Sequence, residues 1–426
     1  QGTAVDGEFA QAAYYHVYRD AGGDVWSTAL GHADMATNRN SYLKMQLLQH
    51  DVNENDYTVF QSSGRVGTDV GNVSTRSFHS LSLAQHEFKR VFLEKTGNQW
   101  ADRKYFRKKA GKMCMVDIDH SELENEEGEV EPGSKTKLEK PVQSLIMKIF
   151  DKELLKMALK SFDLDMEQMP LGKLSKKQLT MAYAVLNELQ AMMDMGDANK
   201  ERILDASNRF YTLVPHNFGM RPPELLNSNE IIQNKSKLLD DLMDIAVAVN
   251  LMNDKDKTKT RMGILDDPID INYVKLQSDI EVLPKNSSDF VLIEKYLRNT
   301  HGSTHQIKIN IVDVFKVARN GERDRFHADL GNRMLLWHGS GIANFVGIIS
   351  QGLRIAPPEA PHAGYMFGKG IYFADMVSKS ANYCRVERNG GDAFLLLCDV
   401  ALGIIQEEQQ ATNQKPLRGG ANSVKG

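Results

Sequence analysis

Residues 334–384 contain the side chains of this sequence that are best suited to chemistry. An apolar run at 334–337 ends at His338, Gly339 and Ser340, so a short strand would deliver a histidine and a serine to one point. Glycine lets a backbone approach a ligand closely because it has no Cβ atom. This spacing predicts a ligand site at the end of a strand.

Two tyrosines farther along, Tyr372 and Tyr383, offer flat faces between which an aromatic ring could stack. A turn at Gly339 can present both N–H and C=O to a carboxamide, and Ser380 can add a hydroxyl. His338 can form a hydrogen bond with a sugar hydroxyl. Each tyrosine alone is more often a core aromatic, but together these groups favour a planar, amide-bearing ligand over a bare phosphate.

Two other enzyme chemistries fit this segment less well. A dinucleotide fingerprint would need a third glycine where Asn344 stands, and no strand–helix–strand repeat surrounds it. A serine hydrolase elbow would need glycine two residues before Ser340, and His338 stands there.

Metal and disulfide chemistry are also disfavoured. His301 and His305 flank a glycine and have no carboxylate or cysteine at ligand spacing, so they read as ordinary turn histidines. The three cysteines, Cys114, Cys384 and Cys398, form neither a disulfide framework nor a zinc quartet. We therefore expect no metal and a reducing compartment.

Charge and hydropathy limit the partners of the chain. The formal net charge is −4, so any contact with nucleic acid must be local. The most apolar run, at 394–405, is short and is interrupted by Asp399. We therefore expect no membrane partner.

The pattern along the chain changes three times. The first region consists mainly of alternating strand-like runs and a helix at 82–95. The residues of this helix that we expect to point inward are Leu83, Phe88, Val91 and Phe92. An acidic linker follows, and helical periodicity then takes over. The last region mixes helices with strands, which are predicted at the alternating isoleucines of 307–311, at 334–337 and at 394–397.

A basic cluster with interleaved aromatic residues lies near the end of the first region. Its members are Arg103, Lys104, Arg107, Lys108, Lys109 and Lys112, with Trp100, Tyr105 and Phe106 between or beside them. The cluster could contact phosphates with aromatic support, or it could be a solvated face over core aromatics. The sequence leaves both interpretations open.

Several of these segments resemble the poly(ADP-ribose) polymerases, most closely the DNA-dependent nuclear type. The catalytic domain is resembled by His338-Gly339-Ser340 and by residues 352–361 and 364–384. The WGR domain is resembled by residues 64–67 together with Trp100. The regulatory domain is resembled by residues 170–175 and 208–211. The resemblance implies a multidomain fold. Its parts are a small α/β WGR domain at 14–118, an acidic linker at 119–140, an all-α regulatory bundle at 141–258, and an incomplete α+β ADP-ribosyltransferase domain at 266–426.

The implied activity is transfer of ADP-ribose from NAD+, used as a substrate, to proteins and to growing poly(ADP-ribose), through an oxocarbenium-like transition state. The implied partners are broken or nicked DNA, poly(ADP-ribose), and acceptor proteins that include histones and the protein itself. The implied location is the nucleus.

The resemblance also assigns residues to roles. His338 and Tyr372 match two members of a His-Tyr-Glu triad, Gly339 and Ser380 would hold the carboxamide, and Tyr372 and Tyr383 would sandwich nicotinamide. The other implied NAD+ contacts are Ser340, Asn344, Gly347 and Arg354 on the adenosine and diphosphate side, Lys379 near the reacting ribose, and Asp240 facing the cleft. The implied DNA contacts are Arg65 and Trp100.

Two departures from the family pattern carry expectations. The triad glutamate would lie beyond Gly426, and Glu407 and Glu408 belong to another motif, so we expect weak NAD+ binding and no polymer from residues 1–426. The alternative is a non-catalytic NAD- or DNA-binding scaffold. Ser63 stands where the WGR motif has tryptophan, which removes a flat surface, whereas Arg65 can still reach a phosphate.

A regulatory hypothesis follows from the domain order. A helical bundle between a DNA-sensing domain and a catalytic cleft can block NAD+ until DNA destabilises it.

Overall fold

A computed structural model describes residues 3–68, 71–116, 118–119, 131–164, 173–196, 199–253, 259–260, 263–264, 267–303, 305–361, 365–386, 391–410 and 417–426. Most of the acidic linker (120–130) and part of the regulatory motif (170–172) therefore lie outside the described residues. The chain forms two compact units. The first consists of Gln1–Glu122, Lys156–Leu239 and Glu359–Pro361, and the second of Leu123–Leu155, Asp240–Pro358 and His362–Gly426.

The first unit is built on a six-stranded antiparallel sheet. Its strands are β1 (Tyr15–Val17), β2 (Ser27–Asp34), β3 (Arg39–His50), β4 (Tyr57–Arg65), β5 (Gly71–Phe78) and β6 (Cys114–Val116). The order is β5-β4-β3-β2-β6, and β1 also pairs with β3. Strand β3 is buried on both faces. Leu43, Met45 and Leu47 on one face belong to a hydrophobic cluster that includes Phe88, and Leu48 on the other face belongs to a smaller cluster that includes Phe9.

A long helix packs on this sheet. Helix α1 (Leu81–Thr96) buries Phe88, Val91 and Phe92, as its periodicity predicts, and ends at Gly97 with a left-handed φ of 70°. The inward position predicted for Leu83 is wrong, because this side chain is 60% exposed. Ala84, four residues before Phe88, is buried instead, and Leu83 lies at the flank of the buried stripe.

The regulatory region is helical. Its helices are α2 (Lys140–Ile149), α3 (Lys152–Lys160), α4 (Lys176–Asp194), α5 (Lys200–Leu213) and α6 (Asn229–Asn253), and a short pair joins β7 (Ile118–Asp119) to β8 (Lys173–Leu174). Side chains cap four of these helices. Asp151 accepts from Glu153 N–H before α3, and Ser175 accepts from Gln178 N–H before α4. Asn199 accepts from Glu201 N–H before α5, and Ser228 accepts from Ile231 N–H before α6. Helices α4 and α5 bury aromatic side chains: Tyr183 from α4, and Phe210 and Tyr211 from α5.

The second unit combines short sheets and helices. Its remaining helices are α7 (Pro268–Lys275), α8 (Ser288–Asn299), α9 (Glu322–Arg325), α10 (Phe345–Gln351) and α11 (Val377–Ala381). Its strands are β9 (Lys259–Thr260), β10 (Gly263–Ile264), β11 (Ser278–Val282), β12 (Phe315–Arg319), β13 (Arg333–Gly339), β14 (Leu395–Ala401), β15 (Ile405–Glu407) and β16 (Ser423–Lys425). Strand β13 pairs antiparallel with β14, and β11 pairs antiparallel with β12.

The predicted strands at 334–337 and 394–397 correspond to β13 and β14, but the strand predicted at 307–311 is wrong. Residues 305–314 are all described and form no strand. Ile309 and Ile311 pack instead against the buried cluster of Leu297, Trp337 and Val377. Their alternation therefore reflects one-sided packing, because without a ladder partner an extended segment is not a strand.

Candidate active site

His338 lies at the end of β13, where its ring is fixed by the backbone. Its Nδ1 is 2.8 Å from the carbonyl oxygen of Tyr372. A carbonyl can only accept, so Nδ1 carries the proton and Nε2 keeps its lone pair. Burial lowers the pKa of His338, outweighing the opposite effect of this hydrogen bond. His338 is therefore a neutral histidine whose Nε2 is an acceptor.

The hydroxyl of Tyr372 is also committed to the backbone. It donates to Gly368 O at 2.6 Å and accepts from Phe367 N–H at 3.0 Å. Burial raises the pKa of Tyr372, so the phenol is neutral. Tyr372 is 39% exposed, and its ring centroid lies 6.4 Å from that of Tyr365. The ring face, rather than the hydroxyl, is what Tyr372 can offer to a ligand.

Helix α11 packs directly against the end of β13. A Cβ atom on Gly339 would lie 1.9 Å from Ser380 O, so only glycine fits there. The buried Ser380 hydroxyl donates to Trp337 O at 3.0 Å and so offers a lone pair to a carboxamide N–H. Lys379 is exposed on the same helix, and Tyr383, just beyond it, is 57% exposed.

The acidic face of α6 reaches residues predicted to bind NAD+. Asn344 Nδ2 donates to Asp241 Oδ1 at 2.7 Å and to Ser340 Oγ at 3.0 Å. Arg385, whose backbone has a left-handed φ of 54°, donates to the other Asp241 oxygen at 2.5 Å. One carboxylate therefore holds polar groups from two separate segments of the chain.

Two neighbouring carboxylates on α6 make similar contacts. Asp240 accepts from the Tyr365 hydroxyl at 3.0 Å, and Asp244 forms an ion pair with Arg354. A Cβ atom on Gly347 would lie 3.2 Å from Asp244 O, so this glycine lets α10 approach α6. Burial raises the pKa of Asp244, although Arg354 opposes the shift.

The structure thus sorts the predicted site residues into two groups. The first surrounds the end of β13 and α11: His338, Gly339, Tyr372, Lys379, Ser380 and Tyr383. The second group lies on α6 or next to it: Asp240, Ser340, Asn344, Gly347 and Arg354. Sequence reasoning missed Asp241, Asp244, Tyr365 and Arg385. The spacing of 240, 241 and 244 on one helix face is the signal that could have found the two aspartates.

In the first unit, the guanidinium of Arg65 is held by protein oxygens. It donates to Gly219 O at 2.8 Å, to Asn38 O at 2.5 Å and to Asn38 Oδ1 at 3.0 Å. Arg65 therefore ties β4 to the loop that follows α5. These bonds use three of the five guanidinium N–H donors, so a phosphate would have to bind the other two or replace one of these acceptors.

Trp100 lies in the core rather than on the surface. Its ring packs against Trp26, Phe88 and Phe92 with centroid separations of 5.7, 4.9 and 5.1 Å, and Arg103 lies 4.4 Å from its centroid. The indole is only 4% exposed. Direct DNA contact by Trp100 is therefore incompatible with this structure.

The basic cluster divides between two uses. Lys112 Nζ donates to Glu94 O at 2.9 Å and Lys109 Nζ donates to Gly97 O, so both cap the carbonyl end of α1. Tyr105, by contrast, is 84% exposed and Lys104 is largely exposed. Part of the cluster is structural, and the Lys104–Tyr105 part remains available to a partner.

Within the described ranges, no group of three or more His, Cys, Asp or Glu side chains is arranged to hold a metal ion. No helix in the described part of the chain is both long and apolar enough to cross a membrane.

Comparison with known proteins gives three domain matches. Residues 26–107 match the WGR domain, 136–273 match the poly(ADP-ribose) polymerase regulatory domain, and 287–426 match the poly(ADP-ribose) polymerase catalytic domain. Poly [ADP-ribose] polymerase 2 of Homo sapiens is 37% identical over 98% of this chain and 72% of its own length. The chain belongs to the poly(ADP-ribose) polymerase family.

Two further members of the family are more similar in sequence. Poly [ADP-ribose] polymerase 1 of Caenorhabditis elegans is 47% identical, and that of Gallus gallus is 46% identical, each over 100% of this chain. The chain spans 45% and 42% of their lengths, less than half of either. The predicted multidomain architecture, with WGR, helical regulatory and catalytic domains, is confirmed. The match to the catalytic domain does not favour the non-catalytic scaffold.

Proposed function

We propose that this chain is part of a nuclear poly(ADP-ribose) polymerase, and that the whole protein transfers ADP-ribose from NAD+ to proteins and to growing poly(ADP-ribose) in response to DNA breaks. The observation that carries this proposal is the fixed, neutral His338 beside Gly339 and the α11 helix. This arrangement would place a hydrogen-bond acceptor for a ribose hydroxyl next to a surface that can bind an aromatic carboxamide.

The reaction breaks the bond between ribose C1′ and the nicotinamide nitrogen. The bonding electron pair leaves with nicotinamide, which becomes neutral, and positive charge develops on the ribose ring. An oxygen of the acceptor then bonds to C1′ and loses its proton to solvent. The neutral His338 can orient a ribose hydroxyl through Nε2 without placing a second positive charge beside that cation.

The residues around β13 and α11 would bind the nicotinamide half of NAD+. Gly339 and Ser380 would hold the carboxamide, and the exposed faces of Tyr372 and Tyr383 would stack on the ring. Lys379 would lie near the reacting ribose. The Ser380 hydroxyl, which donates to a carbonyl, would accept from the carboxamide.

The second group would bind the adenosine and diphosphate half. Ser340, Asn344 and Arg354 carry the polar groups, and Gly347 provides the close approach. Asn344 and Arg354 are held by the α6 carboxylates, so NAD+ would compete with Asp241 and Asp244. Release of α6 would therefore raise NAD+ affinity, as expected when a ligand selects an open state.

Broken or nicked DNA is the partner that would release α6, and histones and the protein itself are proposed acceptors. The support is the WGR match, the exposed Lys104 and Tyr105, and the charged Arg65. Titration of nicked DNA at several salt concentrations tests the phosphate role, because each phosphate contact contributes about 0.9 to the slope of log affinity against log salt. Unchanged affinity and slope in Arg65→Ala would remove Arg65 from the DNA interface.

Nicotinamide and NAD+ titrations by calorimetry test the ligand assignment on the chain itself. Tyr383→Ala should weaken both ligands by roughly three- to tenfold, because one stacking face is lost. Tyr105→Ala is the matched control, since it removes a tyrosine that is 84% exposed in the other unit. No binding by the wild type, or equal binding by Tyr383→Ala, would contradict the proposal.

Transfer itself is measured in the full-length protein with labelled NAD+. His338→Ala should abolish label incorporation, whereas His327→Ala, a histidine whose side chain is 79% exposed, should not change it. Full incorporation by His338→Ala would refute the role of the histidine.

A further inference from the structure

Helix α11 is too short to hold its own position. It has only five residues, and so brief a helix is unstable without outside contacts. Yet it carries Lys379 and Ser380, which the proposed function places against the ribose and the carboxamide. The contacts that hold α11 therefore decide whether those two side chains meet the ligand.

The residue between Val377 and Lys379 supplies the main contact. Ser378 is fully buried, and its Oγ accepts from Gly302 N–H at 2.8 Å. The same Oγ lies 2.6 Å from His305 Nδ1. Among the described residues, His305 Nδ1 is the only acceptor found for the Ser378 hydroxyl proton. The serine therefore donates to His305, and the imidazole proton resides on Nε2.

The turn that contains Gly302 and His305 is shaped for this contact. His305 N–H donates to Gly302 O at 3.0 Å and closes the turn. A Cβ atom on Gly302 would lie 3.0 Å from His305 Nδ1 and 3.2 Å from Ser378 Oγ. Residue 302 must therefore be small, because a larger side chain would separate the histidine from the serine.

Adjacent hydrogen bonds show that α11 is held from two sides. On one side, Val377 N–H donates to Thr300 O at 2.9 Å, in the same turn as the serine's partners. On the other side, Ser380 Oγ donates to Trp337 O in β13. Without the contact at Ser378, the helix could rotate about the remaining contacts and move Ser380 and Lys379 away from the ligand.

We propose that Ser378 and His305 form a positioning pair that fixes α11, and with it Ser380 and Lys379, at the nicotinamide end of the site. The inference rests on the proposed function, since it assumes that this end of the site holds nicotinamide. Neither residue is assigned a contact with the substrate. Each acts through the placement of the helix.

His305 offers the cleaner test because it is exposed, so its replacement should leave the fold intact. His305→Ala removes the acceptor and should weaken nicotinamide binding about tenfold, the scale of one lost buried hydrogen bond. His305→Asn should restore affinity to within about twofold, because its Oδ1 can accept at the position of Nδ1. His327→Ala is the control for loss of an exposed histidine. Ser378→Ala, which also leaves Gly302 N–H unpaired, should weaken binding at least as much as His305→Ala.

Hydrogen exchange over residues 377–383 gives a second readout that needs no ligand. It should accelerate in His305→Ala and return towards the wild-type rate in His305→Asn, because the contact fixes the helix itself. Wild-type affinity and exchange in His305→Ala would overturn the inference, as would failure of asparagine to rescue. If the wild type binds no nicotinamide, the proposed function fails, and the exchange rates alone decide whether the pair positions α11.

Discussion

Replacing Ser236 by alanine should stabilise α6, the helix that carries Asp241 and Asp244. The Ser236 side chain is 1% exposed, and its hydroxyl is buried without a hydrogen-bond partner in the described part of the chain. A buried hydroxyl that has lost water and gained no partner destabilises the folded state. Removing it leaves the contacts of the acidic face intact.

The size of the effect follows from two terms. An unsatisfied buried hydroxyl costs about 1–3 kcal/mol, and alanine is favoured over serine in a helix by about 0.5 kcal/mol. The cavity left by one oxygen atom offsets part of this gain. A net stabilisation of about 2 kcal/mol would lower the population of the locally open helix roughly 30-fold.

Ser207 in α5 is the matched control, because it is equally buried but fully partnered. Its Oγ donates to Ile203 O at 2.8 Å and accepts from Leu226 N–H at 3.1 Å. Ser207→Ala leaves the Leu226 N–H unpaired and should destabilise the chain by about 1–3 kcal/mol. The two substitutions are chemically identical and should have opposite signs.

Hydrogen exchange detected by mass spectrometry measures both effects. Peptides from 235–250 should exchange more slowly in Ser236→Ala and no more slowly than wild type in Ser207→Ala. Broken DNA should accelerate exchange over the same residues in the wild type and do so less in Ser236→Ala. Unchanged or faster exchange in Ser236→Ala would show that its hydroxyl is not unsatisfied, and unchanged wild-type exchange on adding DNA would count against release of α6.

Three further predictions concern the site. NAD+ affinity should be constant from pH 8 down to about 6.5, which is the ordinary pKa of histidine. It should fall only on further acidification, because burial lowers the pKa of His338. A calorimetric pH series checks this, and the affinity of His338→Asn should not change over the same range. Gly347→Ala places a methyl group 3.2 Å from Asp244 O, so α6 must shift by a few tenths of an ångström, and exchange over 240–250 should accelerate; wild-type exchange would contradict this. Asp241→Asn weakens the charge-assisted hydrogen bond to Arg385 and should raise NAD+ affinity several-fold. A hydrogen bond to a charged group contributes about 1.5–3 kcal/mol, and solvent screening at the half-exposed Arg385 side chain reduces this value. Unchanged affinity would show that α6 and NAD+ do not compete.

Much of the secondary structure could be read from local pattern. The periodicity of Phe88, Val91 and Phe92 predicted α1, and the apolar run before His338 predicted β13. The strand predicted at 307–311 failed because alternation reports which face is buried and not whether a neighbouring strand supplies hydrogen bonds. Leu83 failed because it lies at the flank of the buried stripe, where periodicity is least informative.

The candidate site divides in the same way. Gly339 is required by its own surroundings, and the structure supplies the reason in the 1.9 Å separation between its Cβ position and Ser380 O. Trp100 and Arg65 were expected at a DNA surface, yet one is a core aromatic and the other is bonded to protein carbonyl and amide oxygens. A tryptophan among basic residues has the same local sequence whether its ring faces solvent or core.

From the sequence alone we could predict the ligand class and the local elements that present it: a strand ending in histidine and glycine, a short segment with serine and tyrosine, and a helix that carries Asp240. The three-dimensional structure was needed to show that Asp240, Asp241 and Asp244 on this helix bind polar side chains from distant segments: Tyr365, Asn344, Arg385 and Arg354. It was also needed to show that Ser378 contacts His305. These pairs are separated by 73 to 144 residues along the chain. Contacts between residues so far apart in sequence depend on how whole helices and strands pack, and local composition does not predict that packing.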